Sequence, residues 1–276
     1  MAEQSWEQLR TTIAELPKAT TLNTDDKIIV ENDLQTQYAT IAQLTDALVS
    51  GGTSSVSSYI QSTSLSVTVE LADLQATIDA LPKIINGANI TIKVKPGTIN
   101  TGITIQKFIG TGNMNINAID ASGNYVVTPS AMTHNISFIK TYANVFSRIA
   151  VQGFNCTLTT GNTFDINQHV GHLYIYMNSA IEGTNTDTAN YGAYVLDSGD
   201  NIYFNNCMIS NKRAAIYSHH TGNVSTNNLS GSDNYYIYVA INGGEVRVRS
   251  AGTITGTTTY YKSAAGTIVK SDGTFA

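Results

Sequence analysis

Phe154-Asn155-Cys156-Thr157-Leu158, Met177-Asn178-Ser179-Ala180-Ile181, Asn205-Asn206-Cys207-Met208-Ile209, Thr226-Asn227-Asn228-Leu229 and Arg249-Ser250-Ala251-Gly252 repeat one another in steps of 23, 28, 21 and 23 residues. A second set keeps pace: Thr163-Phe164-Asp165, Ala193-Tyr194-Val195, Ala215-Ile216-Tyr217, Tyr236-Ile237-Tyr238 and Thr259-Tyr260-Tyr261, whose central residues advance by 30, 22, 21 and 23. Self-similarity at about 22 residues, in short β-prone runs with polar turns between them, marks a solenoid in which each copy is one coil. The expected fold class is all-β, a parallel β-helix.

Asn155, Asn178, Asn206 and Asn227 share one position of the repeat. At the corner of a β-solenoid an inward Asn amide can hydrogen-bond the same amide in the coils above and below, and Asn tolerates the left-handed backbone a corner needs. These four are therefore expected to form a structural Asn ladder. Cys156 and Cys207 fall two coils apart, about 10 Å at the spacing of adjacent strands, which is beyond disulfide reach. They read as small buried fillers.

The chain has 276 residues, of which 13% are charged, and a net charge of −5. Its surface is hydrogen-bonding and weakly charged, and the absence of a basic cluster argues against a nucleic-acid partner. No apolar run reaches membrane-spanning length and Met1–Trp6 is polar, so neither a signal peptide nor a membrane anchor is expected. A protein of this kind working outside a cell would leave by lysis or as part of a particle.

Residues 1–50 differ in kind. Trp6, Leu9, Ile13 and Leu16 have helical spacing and Pro17 is a stop. Lys27–Glu31, a turn at Asn32-Asp33 and a strand through Gln37-Tyr38-Ala39 read as a hairpin, and Ile41, Leu44 and Leu48 form the apolar face of a second helix. With so few large apolar side chains, this segment is expected to dock on a partner or on copies of itself. Residues 51–63 have linker composition. Residues 64–83 hold a strand and a helix whose Leu71, Leu74, Ile78 and Leu81 would cover the open end of the first coil, and residues 84–276 form the β-helix.

Leu74-Gln75-Ala76-Thr77-Ile78-Asp79-Ala80-Leu81-Pro82, then Pro96-Gly97-Thr98, then Phe108-Ile109-Gly110-Thr111-Gly112 with Met114-Asn115-Ile116, resembles the start of pectate-lyase-type right-handed β-helices, above all those of bacteriophage tail fibres and tailspikes. Asp25–Glu31 is similar to the virion-proximal module that precedes such shafts. The resemblance implies a right-handed β-helix in a homotrimer, displayed on the virion exterior after assembly in the host cytoplasm. Residues 1–50 would contact other virion proteins, and the shaft would bind host surface glycan. The motifs that carry the resemblance are structural and include no catalytic residue.

Glycoside hydrolysis needs two carboxyl groups about 5 to 10 Å apart on one face. Asp165 is expected to point outward without a stacked acidic partner, and Asp197 and Asp200 belong to a turn. Glu182 and Asp187 share the longest inserted loop, where solenoids often form a binding edge, and are the candidate acids for glycan contact. His219-His220 lies on a strand, where adjacent side chains point to opposite faces, and Gly110-Thr111-Gly112 reads as a turn. No cofactor, metal site or catalytic residue is expected. One outward stripe, Tyr217, Tyr238 and Tyr261, presents flat aromatic faces suited to a sugar or a neighbouring subunit. Three functions remain open: a tail fibre or spike that adheres to the host, an architectural head fibre, collar or adaptor that anchors another tailspike, and a glycan depolymerase.

Overall fold

The computed structural model describes residues 27–32, 35–40, 60–128, 132–198, 201–250 and 252–276. The chain divides into two compact units, residues 1–58 and 59–276. In the first, Lys27–Asn32 and Gln35–Thr40 pair antiparallel from Lys27 opposite Thr40 to Asn32 opposite Gln35, the hairpin read from the sequence. The two helices expected around it lie outside the described residues.

The second unit is a parallel β-helix of the right-handed type with about eight turns. Its first face stacks Ile103–Gln106, the leading halves of Ile139–Gln152 and Asn162–Tyr176, then Tyr191–Leu196, Ala214–His219, Asn234–Ile241 and Gly256–Ser263. The second face stacks Ile84–Val94, Ile109–Ala118, the trailing halves of the same two long strands, then Ile202–Asn205, Asn223–Asn227, Glu245–Ser250 and Thr267–Val269. Short strands from Gly97–Thr98 to Met208–Ile209 make the third. Inward columns such as Ile139, Phe164, Ala193, Ile216 and Tyr238 fill the core with branched and aromatic side chains.

Between the first and second faces every coil turns through one left-handed residue. Lys107, Ala143, Gln168, Asp197, His220, Asn242 and Ala264 stack there with φ between 46° and 61°. Left-handed backbone costs a non-glycine residue about 1–2 kcal/mol, so something must hold the corner. Side chains of the next coil do so at two of them: the Ser198 hydroxyl accepts from the His169 N–H beside Gln168 (3.2 Å), and a buried Asn acts at Lys107. Asn144 accepts from the Phe108 N–H (3.0 Å) and donates to the Ile105 carbonyl (2.9 Å), bracing the bend at Lys107 in the coil below. At a different corner, between the second and third faces, Asn178 braces Gly153 through the Phe154 N–H (2.7 Å) and the Val151 carbonyl (2.9 Å).

The single ladder expected of Asn155, Asn178, Asn206 and Asn227 does not form. Asn155 stands opposite Asn135 and Ser179, Asn178 is level with Phe154, and Asn227 stands opposite Asn205, with Asn206 one position further on. The stacking chemistry survives in shorter, separate runs. Asn155 donates through Nδ2 to Asn135 Oδ1 (2.7 Å) and accepts at Oδ1 from the Ser179 hydroxyl, Asn227 donates to Asn205 (2.8 Å), and Asn228 donates to Asn206 (2.8 Å). Asn178, Asn206 and Asn227 stand one, two and three positions away from the column that runs Asn155, Ser179, Met208, Ser230, and each residue of slip moves a side chain to another column. Cys156 and Cys207 are buried and free, two coils apart, and burial pushes both thiols up, Cys207 to about 12.

At the first coil a 3-10 turn, Leu71–Asp73, leads into the helix Leu74–Ala80, and Leu71, Leu74, Ile78 and Leu81 are all buried. Gln75 completes the cap: its Nε2 donates to the Thr104 carbonyl (3.1 Å) and its Oε1 accepts from the Thr104 N–H (2.7 Å). One side-chain amide thus stands in for the missing strand on that edge. Winding begins before the helix, at Ile60–Gln61 and Leu65–Val69, which pair with Ile84–Val94. The first of these strands lies within the segment whose composition reads as linker. Gly110 and Gly112 are not a turn either: both lie in the strand Ile109–Ala118 with positive φ, where a Cβ would strike the Ile85 and Ala88 carbonyls of the coil below.

Candidate functional site

The outward positions of the first face form two neighbouring columns. One runs Lys140, Asp165, Tyr194, Tyr217, Val239, Tyr261; the other runs Asn162, Tyr191, Ala214, Tyr236, Thr258. Parallel stacking brings the rings together across coils. Tyr194 and Tyr217 have centroids 5.3 Å apart, Tyr191 and Tyr217 4.6 Å, and Tyr236 and Tyr261 5.1 Å.

The two columns are interrupted by small residues at neighbouring levels, Ala214 in one and Val239 in the other. The gap is a cleft of about 300 Å3 walled by Tyr191, Tyr217, Tyr236 and Tyr261, with Arg213 at its side and Thr188 of the inserted loop at its rim. The Arg213 guanidinium lies 4.0 Å from the Tyr235 ring centre and 5.1 Å from that of Tyr236, and has no carboxylate within salt-bridge range among the described residues. Burial raises the phenols of Tyr191 and Tyr194 and pushes Tyr217 up to about 12. These hydroxyls therefore stay protonated at ordinary pH and both donate and accept hydrogen bonds.

The stripe expected from Tyr217, Tyr238 and Tyr261 is corrected at its centre. Tyr217 and Tyr261 share the outward column, but Tyr238 pairs with Ile216 and Tyr260 and is 2% exposed, its ring stacked inside the core on Tyr260 (5.8 Å). Tyr194, expected inside, is the outward residue, and Val195 is buried.

Glu182 and Asp187 lie on the inserted loop beside the cleft, but neither carboxyl lines it. Asp187 Oδ1 accepts from the Ala189 N–H (2.9 Å), a self-closed turn. Glu182 contributes its carbonyl. Fully buried Lys212 drives its Nζ under the loop and donates to the carbonyls of Glu182 (2.6 Å) and Leu158 (3.1 Å) and to Asn190 Oδ1 (3.1 Å). Asn190 passes the restraint on to the Thr184 and Asn211 carbonyls, both at 2.9 Å. Burial pulls Lys212 down to about 8. A lone lysine in a polar turn carries no signal that it is internal. Arg213, Tyr191 and Tyr236 were missed too, since only the inter-coil register places them at the cleft.

Asp165 points outward as expected, with Lys140 below it and Tyr194 above. Partial burial raises its carboxyl above the ordinary range, and it lines a separate groove with Thr104, Gln106, Lys140 and Tyr142. His219 and His220 do not diverge, because His220 is a left-handed corner residue: their rings stack at 3.9 Å, with His220 Nδ1 3.1 Å from Asp197 Oδ1. Among the described residues, no three His, Cys, Asp or Glu side chains are grouped to hold a metal ion.

Comparison with protein-family models, with curated proteins and with solved structures found no match.

Proposed function

We propose that this is a bacteriophage virion protein of the tail fibre or tailspike type, a rigid β-helical shaft that binds host surface saccharide without cleaving it. The observation that carries the binding role is the tyrosine cleft of the first face. Pyranose rings expose C–H faces that pack on aromatic rings, and their hydroxyls match the neutral phenols and the Arg213 guanidinium. The phage setting rests on the resemblance of residues 74–116 and of the N-terminal hairpin to such proteins. Weak single contacts, repeated on a trimer and around a particle, would give avidity without one tight site. Residues 1–50 would supply the contact to other virion proteins.

The test is binding of the full chain to host cells and to purified host polysaccharide. Tyr217→Ser and Tyr236→Ser should each weaken binding at least about tenfold while thermal unfolding moves little. Unchanged binding by both variants overturns the reading. New reducing or unsaturated ends released from the polysaccharide, and lost in Glu182→Gln or Asp187→Asn, would replace adhesion by depolymerisation.

A second reading, an architectural adaptor in a head fibre or collar, is favoured by a different feature. Ile84, Ile109, Val145 and Val170 stack in one column at a corner and are 46–54% exposed, an apolar stripe suited to a second copy of the chain. Val145→Lys should dissociate an oligomer built on it, as read by light scattering, with saccharide binding per chain intact.

A further inference from the structure

The second face carries a cleft of different chemistry. Its outward column runs Ala150, Tyr174, Tyr203, Ser225, Arg247. Tyr174 and Tyr203 stack almost parallel, 4.8 Å apart with 9° between planes, and the Arg148 guanidinium lies 4.9 Å from the Tyr174 ring centre. Above Tyr203 the small Ser225 leaves a gap. Two coils up, the strand is bulged: Thr226 pairs with Val248 but Asn227 with Ser250, so Arg249 is the extra residue. A bulge re-aims the side chain it frees. Arg249 arches back over the gap to within 5.4 Å of the Tyr203 ring centre and closes a cleft of about 130 Å3 floored by Ser225 and Asn227. Asn227 Nδ2 donates to Asn205 Oδ1 (2.8 Å), which leaves the Asn205 amide hydrogens and the Asn227 oxygen without a protein partner among the described residues.

Charge selects the ligand. The chain is acidic overall, at −5, yet neither Arg148 nor Arg249 has a carboxylate within salt-bridge range among the described residues, and neighbouring Glu245 is already paired with Arg247. The uncompensated Arg249 guanidinium, beside an aromatic wall and two amides, fits a flat, hydroxylated ring that bears a carboxylate.

We propose that this cleft is a second saccharide subsite, selective for a hexuronic acid unit. The sugar face packs on Tyr203, its carboxylate takes the outer edge of Arg249, and its hydroxyls meet Asn205 and Asn227. The proposal rests on the reading of the protein as a saccharide binder, but on a different face and a different ligand class from the tyrosine cleft.

The experiment titrates the full chain with short oligomers of galacturonic, glucuronic and mannuronic acid, and with the same oligomers after reduction of their carboxyl groups. At least one acidic oligomer should bind, lose at least about tenfold in affinity on reduction, and weaken as salt is raised. Arg249→Gln should cost about tenfold, Arg249→Lys should recover only part of it, and Tyr217→Ser should leave uronate binding unchanged. Equal binding of acidic and reduced oligomers, indifference to Arg249→Gln, or no binding of any uronate overturns the proposal. Uronate binding that is lost in Tyr217→Ser and kept in Arg249→Gln also overturns it, while leaving the tyrosine cleft standing. Neutral saccharide that binds independently of Tyr217 would sink the reading of the first cleft alone.

Discussion

Tyr238 and Tyr217 sit in adjacent outward-reading patterns of the sequence, yet the fold puts one in the core and the other on the surface, and replacing each by Ser measures the difference. Tyr238 is 2% exposed, with Ile216 below and the Tyr260 ring above. A buried aromatic ring removes on the order of 150–250 Å2 from water, which at about 25 cal/mol per Å2 sets an upper value of about 4–6 kcal/mol. Large-to-small changes at buried aromatics cost about 3–5 kcal/mol, so Tyr238→Ser should cost about 4 kcal/mol. In a unit of this size that lowers the melting temperature by about 8–16 °C. Tyr217→Ser loses one face of stacking, about 1 kcal/mol or roughly 2–4 °C. Tyr238→Phe is the control: the hydroxyl faces Thr226 inside the barrel, and its removal should change stability by under about 1.5 kcal/mol. The assay is thermal unfolding followed by circular dichroism, all variants at one scan rate because large parallel solenoids unfold slowly. Equal losses for Tyr238→Ser and Tyr217→Ser would refute the register of the first face and the assignment of the tyrosine cleft.

Stability should also fall in acid. His169 is buried with neither ring nitrogen partnered among the described residues, and desolvation pulls its pKa down to about 4 from the ordinary 6.5. The unfolded chain then binds more protons between those two values, so stability is lost as pH falls through that window, by about 3 kcal/mol at most, and His169→Phe should flatten the profile. His134 is lowered in the same direction, first by burial. Asn178→Ala leaves the Phe154 N–H and the Val151 carbonyl unpaired and should cost about 1–3 kcal/mol in urea unfolding; Asn206→Gly, at a left-handed corner with a surface amide, should cost less than about 1 kcal/mol, and the reverse order would disprove the corner-brace account. Lys212→Met removes the donor to three acceptors under the inserted loop. Hydrogen exchange across residues 181–190 should speed up at least about tenfold with the rest of the β-helix little changed, whereas a uniform rise would show that the lysine supports the whole fold instead.

Much of the architecture is local and was legible. Coil length shows as a repeat, the hairpin at residues 27–40 as two strands around a polar turn, and the cap as Leu71, Leu74, Ile78 and Leu81 at helical spacing. Each of these is a property of residues near one another in the chain. Cys156 and Cys207 were placed two coils apart, as buried fillers, by the same repeat.

Register was decided only by the tertiary structure. Tyr235 to Val239 is apolar or aromatic at every position, so alternation cannot say which residues face inward, and one residue of slip exchanges core for surface. The left-handed corners at Ala143, Gln168 and Met177 carry no side-chain signal of their own. Buried Asn144 and Asn178 brace bends at two different corners, Lys107 and Gly153, each reaching from one coil to the coil below it. Both clefts arise likewise, from small residues, Ala214, Val239 and Ser225, falling between aromatic residues of neighbouring coils. Arg249 reaches its cleft through a bulge defined by pairing with Asn227. The repeat sets how often the chain returns, but contacts between residues more than twenty positions apart set the phase of that return, and the chemistry of the surface depends on the phase.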